Sequence, residues 1–338
     1  MTGVSGSGPW PGDDVLEAQT VVVGDLADAP TGVTGLPFAV RLPQRGPWGG
    51  PTGTAATLLV DMPTELGPHG WKLADRPGGD LARAQALRRE DLDALAVAAH
   101  GLTGPLVVPV TGPLTLAARL YLARGDRVVS DRGALEELTW SLAAGIAEHL
   151  ADVRRLVPGV EPVVLLHEPL LAQVVAGVLP SFSGYSALRA VPAPAATELL
   201  GVVVRGARPG AGQVVVHGGA TWTALRPAVA AGADGVALAL PGLDERAWEH
   251  IAEAVEQGTA LWAELPPLTS SQCAGPDLRA QADALTVPWR RVGLPAEGLA
   301  RATLLPPAPD ASATPDQARA ALAAAVRAAE LVAERAEG

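Results

Sequence analysis

Two histidines, three carboxylates and a threonine stand where short apolar runs of this chain end. Asp61 follows Thr57–Val60, Thr111 follows Leu106–Val110, and His167-Glu168 follow Pro162–Leu166, while His217 follows Gln213–Val216 and Glu264 follows Leu261–Ala263. Imidazoles are the side chains that hold or pass protons near neutral pH and that ligate metals, and carboxylates orient imidazoles or grip amines. Burying such groups without partners costs several kcal/mol, so their density at the ends of apolar runs points to one shared site. Asp61 also fits a cap for the Met62-Pro63 turn, and Glu264 a solvated rim position. His69, His100, His149 and His250 show no metal-ligand spacing and receive no role.

The runs that deliver these residues read as buried parallel strands, because they are short, continuously apolar and bounded by turn residues. Further runs at Gly235–Leu238 and Ala302–Leu305, with an eighth near Val4–Gly8, bring the number to that which closes a (β/α)8 TIM barrel, an α/β fold. In such a barrel the C-terminal strand ends converge on one mouth, where active sites are built. Helical stretches separate the strands. Leu81, Ala84, Leu87, Leu92, Leu95 and Ala99 recur at helical spacing between Asp80 and His100, and Gly101 stands as the stop. The last helix has a cap at Thr314, proline at its first position and Gln317 to complete a capping box. Pro/Gly-rich stretches at 42–53 and 266–276 read as loops over the mouth, so residues 1–338 are expected to form one barrel domain. No Gly-x-Gly-x-x-Gly follows an early strand, and no Gly-x-x-x-x-Gly-Lys-Ser/Thr occurs.

Composition narrows the function. The net charge is −11 across 338 residues, which argues against nucleic acid as a partner because clustered Lys and Arg are missing. No basic, apolar leader opens the sequence and no run of about 18 apolar residues follows, so membrane spanning and secretion are not expected and a cytoplasmic location is. Cys273 is the sole cysteine, which excludes an intramolecular disulfide and a thiolate-rich zinc site.

At the same strand ends the chain resembles the catalytic barrel of the cobalamin-independent methionine synthases. The resemblance is carried by Gly8-Pro9-Trp10-Pro11-Gly12 near the family's Gly-Ser-Phe-Pro start, with Ser7 or Pro9 at the serine, and by Thr111-Gly112-Pro113-Leu114-Thr115 at its Thr-Gly-Pro-x-Thr turn. It continues through His167-Glu168-Pro169, where the family has Asp-Glu-Pro, and His217 at the family's His-x-Cys histidine. Asp61-Met62 and Gly70-Trp71 are similar to its substrate-binding stretch. The resemblance implies methyl transfer to a thiol such as homocysteine, with zinc holding the sulfur as thiolate. It also implies that only His217 remains of the zinc ligands, since Gly219, Ala239 and Ala308 fall at the other three positions. No metal cofactor is therefore expected.

These readings give His217, His167 and Glu168 as the catalytic candidates and Asp61, Thr111, Glu264 and Trp71 as substrate-binding candidates, around a small molecule in the barrel mouth. A separate methyl-donor protein is implied by single-barrel relatives. Two functions stand side by side: an S-methyltransferase of methionine-synthase type, and a catalytically silent barrel that binds a small molecule or a protein. Acid–base chemistry by His167, His217 and Glu264 is a third.

Overall fold

The computed structural model describes residues 1–268 and 277–337. In chain order the strands are β1 (Thr2–Val4), β2 (Val33–Gly35), a hairpin of β3 (Thr64–Gly67) and β4 (Gly70–Leu73), then β5 (Gly104–Thr111), β6 (Val160–His167), β7 (Gln213–His217), β8 (Gly235–Ala239), β9 (Ala260–Glu264) and β10 (Thr303–Leu305). All but the hairpin pair in parallel in the order β2-β1-β10-β9-β8-β7-β6-β5. The residues just beyond β2 close the cylinder. Around a bridge of Phe38 with Val107, Ala39 N–H donates to Val107 O and Val107 N–H to Pro37 O, both at 2.8 Å. The result is the (β/α)8 barrel that the strand count predicts.

The second strand is not where the apolar pattern puts it. Thr57–Val60 follows a helix, Pro51–Ala56, with Thr57 as its C-cap. The run is apolar because it packs on the long helix Arg132–Leu156, where Ser141 Oγ donates to Val60 O at 2.7 Å and a Cβ on Gly145 would lie 1.5 Å from Leu58 O. A short apolar run satisfies a buried turn as well as a strand. The true second strand, Val33-Thr34-Gly35, lies among the glycines and prolines of residues 30–37. Its Gly35 is required by space, since a Cβ there would sit 1.9 Å from Leu26 O of the first helix.

Aspartates start four of the surrounding helices. Asp14, Asp131, Asp244 and Asp277 each accept from the amide three residues on, which satisfies donors that a helix start leaves unpaired. The expected capping box of the last helix, Pro315–Glu337, is present: Thr314 N–H donates to Gln317 Oε1 at 2.9 Å and Gln317 N–H to Thr314 Oγ1 at 3.3 Å. The predicted helix over Asp80–His100 runs Gly79–Ala98. Among the described residues no helix is long and apolar enough to cross a membrane.

Candidate functional site

Strand register lines up the mouth. Thr111 pairs with His167, His167 with His217, His217 with Ala237, and Ala237 with Trp262, so the two histidines are neighbours on β6 and β7. Their ring centroids are 5.0 Å apart. Glu264 lies two residues beyond Trp262, paired with Ala239, and reaches across β8 to place Oε2 3.0 Å from His217 Nε2. The crossing is open because Ala237 and Ala239, which share one face by strand alternation, are both small.

The hydrogen-bond partners fix the protons. Gly219 N–H donates to His217 Nδ1 at 3.2 Å, so that nitrogen carries a lone pair and the ring proton sits on Nε2, facing Glu264. His217 is only 6% exposed, and both its nitrogens are committed. His167 Nε2 donates to Ser7 O at 2.8 Å, which leaves a lone pair on Nδ1. Burial, with the Arg41 charge behind it, holds His167 well below the ordinary imidazole range, so its ring is neutral.

Glu168 faces elsewhere. Its Oε1 accepts from Leu114 N–H at 2.9 Å and its Oε2 from Thr115 N–H at 2.7 Å, the first amides of the short helix Pro113–Arg119. Thr115 Oγ1 in turn accepts from Leu170 N–H at 3.2 Å, and Gly112 N–H donates to His167 O at 2.8 Å. The Thr-Gly-Pro-Leu-Thr and His-Glu-Pro motifs thus form one lock between the ends of β5 and β6. Burial, opposed by these donors, pushes the Glu168 carboxyl up to about 7.

The remaining expected residues are spread around this centre. Thr111 Oγ1 donates to Pro51 O at 3.1 Å, and buried Trp71 donates its indole N–H to Pro47 O at 3.0 Å, so both tie down the segment over the mouth. Asp61 is exposed, at a left-handed φ of 54°, in the turn after the helix rather than at a strand end. Cys273 lies outside the described residues. Among the described residues, no three His, Cys, Asp or Glu side chains converge as a metal site. A side chain at Gly219 would meet φ +70° and a Cβ 3.3 Å from Pro169 Cβ.

Sequence reasoning passed over Arg41. It lies at the end of the extension of β2, hidden by the misplaced second strand, and its Nη2 donates to Ser7 O at 3.4 Å, the carbonyl that also holds His167. Burial and the nearby Arg119 lower it to about 10, which leaves it charged at neutral pH.

A B12-independent methionine synthase from Shewanella sp. W3-18-1, solved in complex with selenomethionine, is similar in structure, with a TM-score of 0.55 and 13% identity over 98% of this chain and 97% of that chain. A GH5 xyloglucanase from Bacteroides ovatus aligns with a TM-score of 0.44 and 12% identity over 98% of this chain and 74% of that one. No family model and no curated protein matches the sequence. At this identity the first likeness, which runs nearly end to end in both chains, is one of fold.

Proposed function

We propose that this methionine-synthase-like barrel takes an amino acid bearing a thiol or thioether into its mouth and holds it without a resident zinc ion. The observation that carries the reading is the commitment of His217: Gly219 N–H occupies Nδ1 and Glu264 occupies Nε2. A metal at the position implied by the resemblance needs one of those nitrogens and three or four protein ligands, where this chain supplies Gly219, Ala239 and Ala308. The ligand class rests on the motif order and on the selenomethionine bound by the Shewanella protein.

Magnitudes favour binding over thiol activation. A free thiol titrates at about 8.5, and His167, whose Nδ1 is the lone pair open to a proton, is held well below 6.5. Passing the thiol proton to it is uphill. Methyl transfer to that thiol, from a methyl group delivered by a separate protein, is the second reading. The His217–Glu264 pair favours it, because a carboxylate-oriented imidazole is a common device of acid–base catalysis.

Calorimetric titration of the full chain with L-homocysteine and L-methionine, with and without one equivalent of zinc, tests the proposal alongside an assay of methyl transfer from methyltetrahydrofolate. Saturable binding that zinc leaves unchanged, without turnover, is the expected result. Zinc-dependent tightening overturns the metal-free reading, zinc-independent turnover establishes the second one, and no binding of either amino acid sinks both.

A further inference from the structure

Behind Arg41, between the barrel wall and the helix layer, lies a cavity of about 70 Å³. It opens where Ala39–Arg41 and Val108–Thr111 diverge beyond the joint at Phe38 and Val107, and helix residues Arg88, Asp91 and His149 line its other side. Most of the remaining lining is aliphatic. Three of its lining residues carry a buried nitrogen without a hydrogen-bond partner: Arg41 at Nε, Arg88 at Nε and His149 at Nδ1. A guanidinium Nε–H can only donate, and leaving it unmet in an apolar wall is costly.

The charges around the cavity do not balance. Asp91 is its one acidic lining residue, and its carboxylate is bound to Arg45. Asp152 and Glu148 act on Arg88 from a distance without pairing to it, and Arg89 opposes them. His149 is neutral, held at about 4 by burial and by Arg88, so it adds no charge of its own. The buried Arg41 guanidinium and the half-buried Arg88 guanidinium, each with an unmet Nε–H donor, call for a guest that accepts hydrogen bonds and carries negative charge.

We propose that this cavity is a binding site for a small oxyanion, a carboxylate or an inorganic phosphate, gripped by the Nε–H groups of Arg41 and Arg88. The volume suits it, being about that of two water molecules. Arg41 is the partition between this site and the mouth, because the same guanidinium donates to the Ser7 carbonyl that holds His167. An anion on Arg41 offsets the positive charge that bears on His167, so filling the cavity raises the pH at which His167 takes up a proton. The inference does not depend on the mouth's own ligand.

The test uses the full chain at constant ionic strength, titrated with sodium formate, with inorganic phosphate and with neutral formamide, and followed by thermal unfolding and by histidine NMR. Formate or phosphate is expected to saturate, to raise the melting temperature and to move the His167 titration upward, with formamide inert. R41M and R88M are each expected to weaken binding at least tenfold, while R132M, at an exposed arginine, changes nothing. If either methionine variant fails to fold, R41K or R88K keeps the charge without the Nε–H and is expected to bind at least threefold more weakly. Formamide binding like formate, an absence of saturable anion binding, or affinity unchanged in the Arg41 and Arg88 variants each overturns the proposal; phosphate binding without formate, or the reverse, identifies which oxyanion the site takes.

Discussion

Gly112 and Glu168 compete for one space: a Cβ on residue 112 would lie 2.3 Å from Glu168 Oε1. The backbone of Gly112 is ordinary, with φ −76°, so space and not conformation requires the glycine. It follows that the two motifs stand or fall together, one supplying the amides and the other the carboxylate.

Gly112→Ala is therefore expected to destabilise the fold by on the order of 3 kcal/mol, through overpacking and displacement of a carboxylate from two buried donors. Urea unfolding measures it. A loss below about 1 kcal/mol would mean that the lock yields easily.

Glu168 and His149 give opposite pH dependences in one window. The Glu168 carboxyl rises from 4.5 to about 7 on folding, so its contribution is full below about 4.5 and is lost as pH climbs to 7. His149 falls from 6.5 to about 4, so its contribution is full above 6.5 and is lost as pH drops to 4. Each spans about 3 kcal/mol. Measured against the parent protein, the stability of E168Q should climb between pH 4.5 and 7, and that of H149L should decline between 4 and 6.5. Parallel curves for parent and variants would refute the assignment.

Gly219→Cys restores the thiol of the resembled family at this position, and it is expected to cost about 1–2 kcal/mol because the residue sits at φ +70°. It should gain no tightly held zinc after dialysis, since both His217 nitrogens stay engaged. Elemental analysis decides this, and one zinc per chain would show that a single thiolate suffices to recruit the ion.

Ala239→Leu places a large side chain in the gap through which Glu264 reaches His217. The Nε2 proton of His217, expected as a distinct downfield NMR signal in the parent, should then be lost or shifted. Ligand affinity in the mouth should fall about tenfold if the pair helps to hold it. An unchanged signal would show that the carboxylate takes another route.

Much of this could be seen in the sequence, for identifiable reasons. Strands β5 to β10 announce themselves because they are apolar on both faces, and β5, β6, β7 and β9 end in polar residues, which is how His167, His217 and Glu264 could be gathered from the sequence alone. β2 could not be seen, since three residues among glycines carry no periodicity, and its loss hid Arg41 as well. The role of Glu168 was also out of reach. A strand-end carboxylate looks the same in sequence whether it faces a ligand or the first amides of the next helix, and only the direction of the side chain separates the two.

The joint at Phe38 and Val107 makes this cylinder a sheet with a latch. Seven strand junctions belong to one continuous ladder, whereas the eighth is fastened by two hydrogen bonds, from Ala39 to Val107 and from Val107 to Pro37. Parting the wall anywhere else breaks a ladder, so opening concentrates at this latch. The helix Pro51–Ala56 and the residues that anchor it, Thr111 through Pro51 and Trp71 through Pro47, then act as a clasp over the place where the barrel is easiest to unfasten.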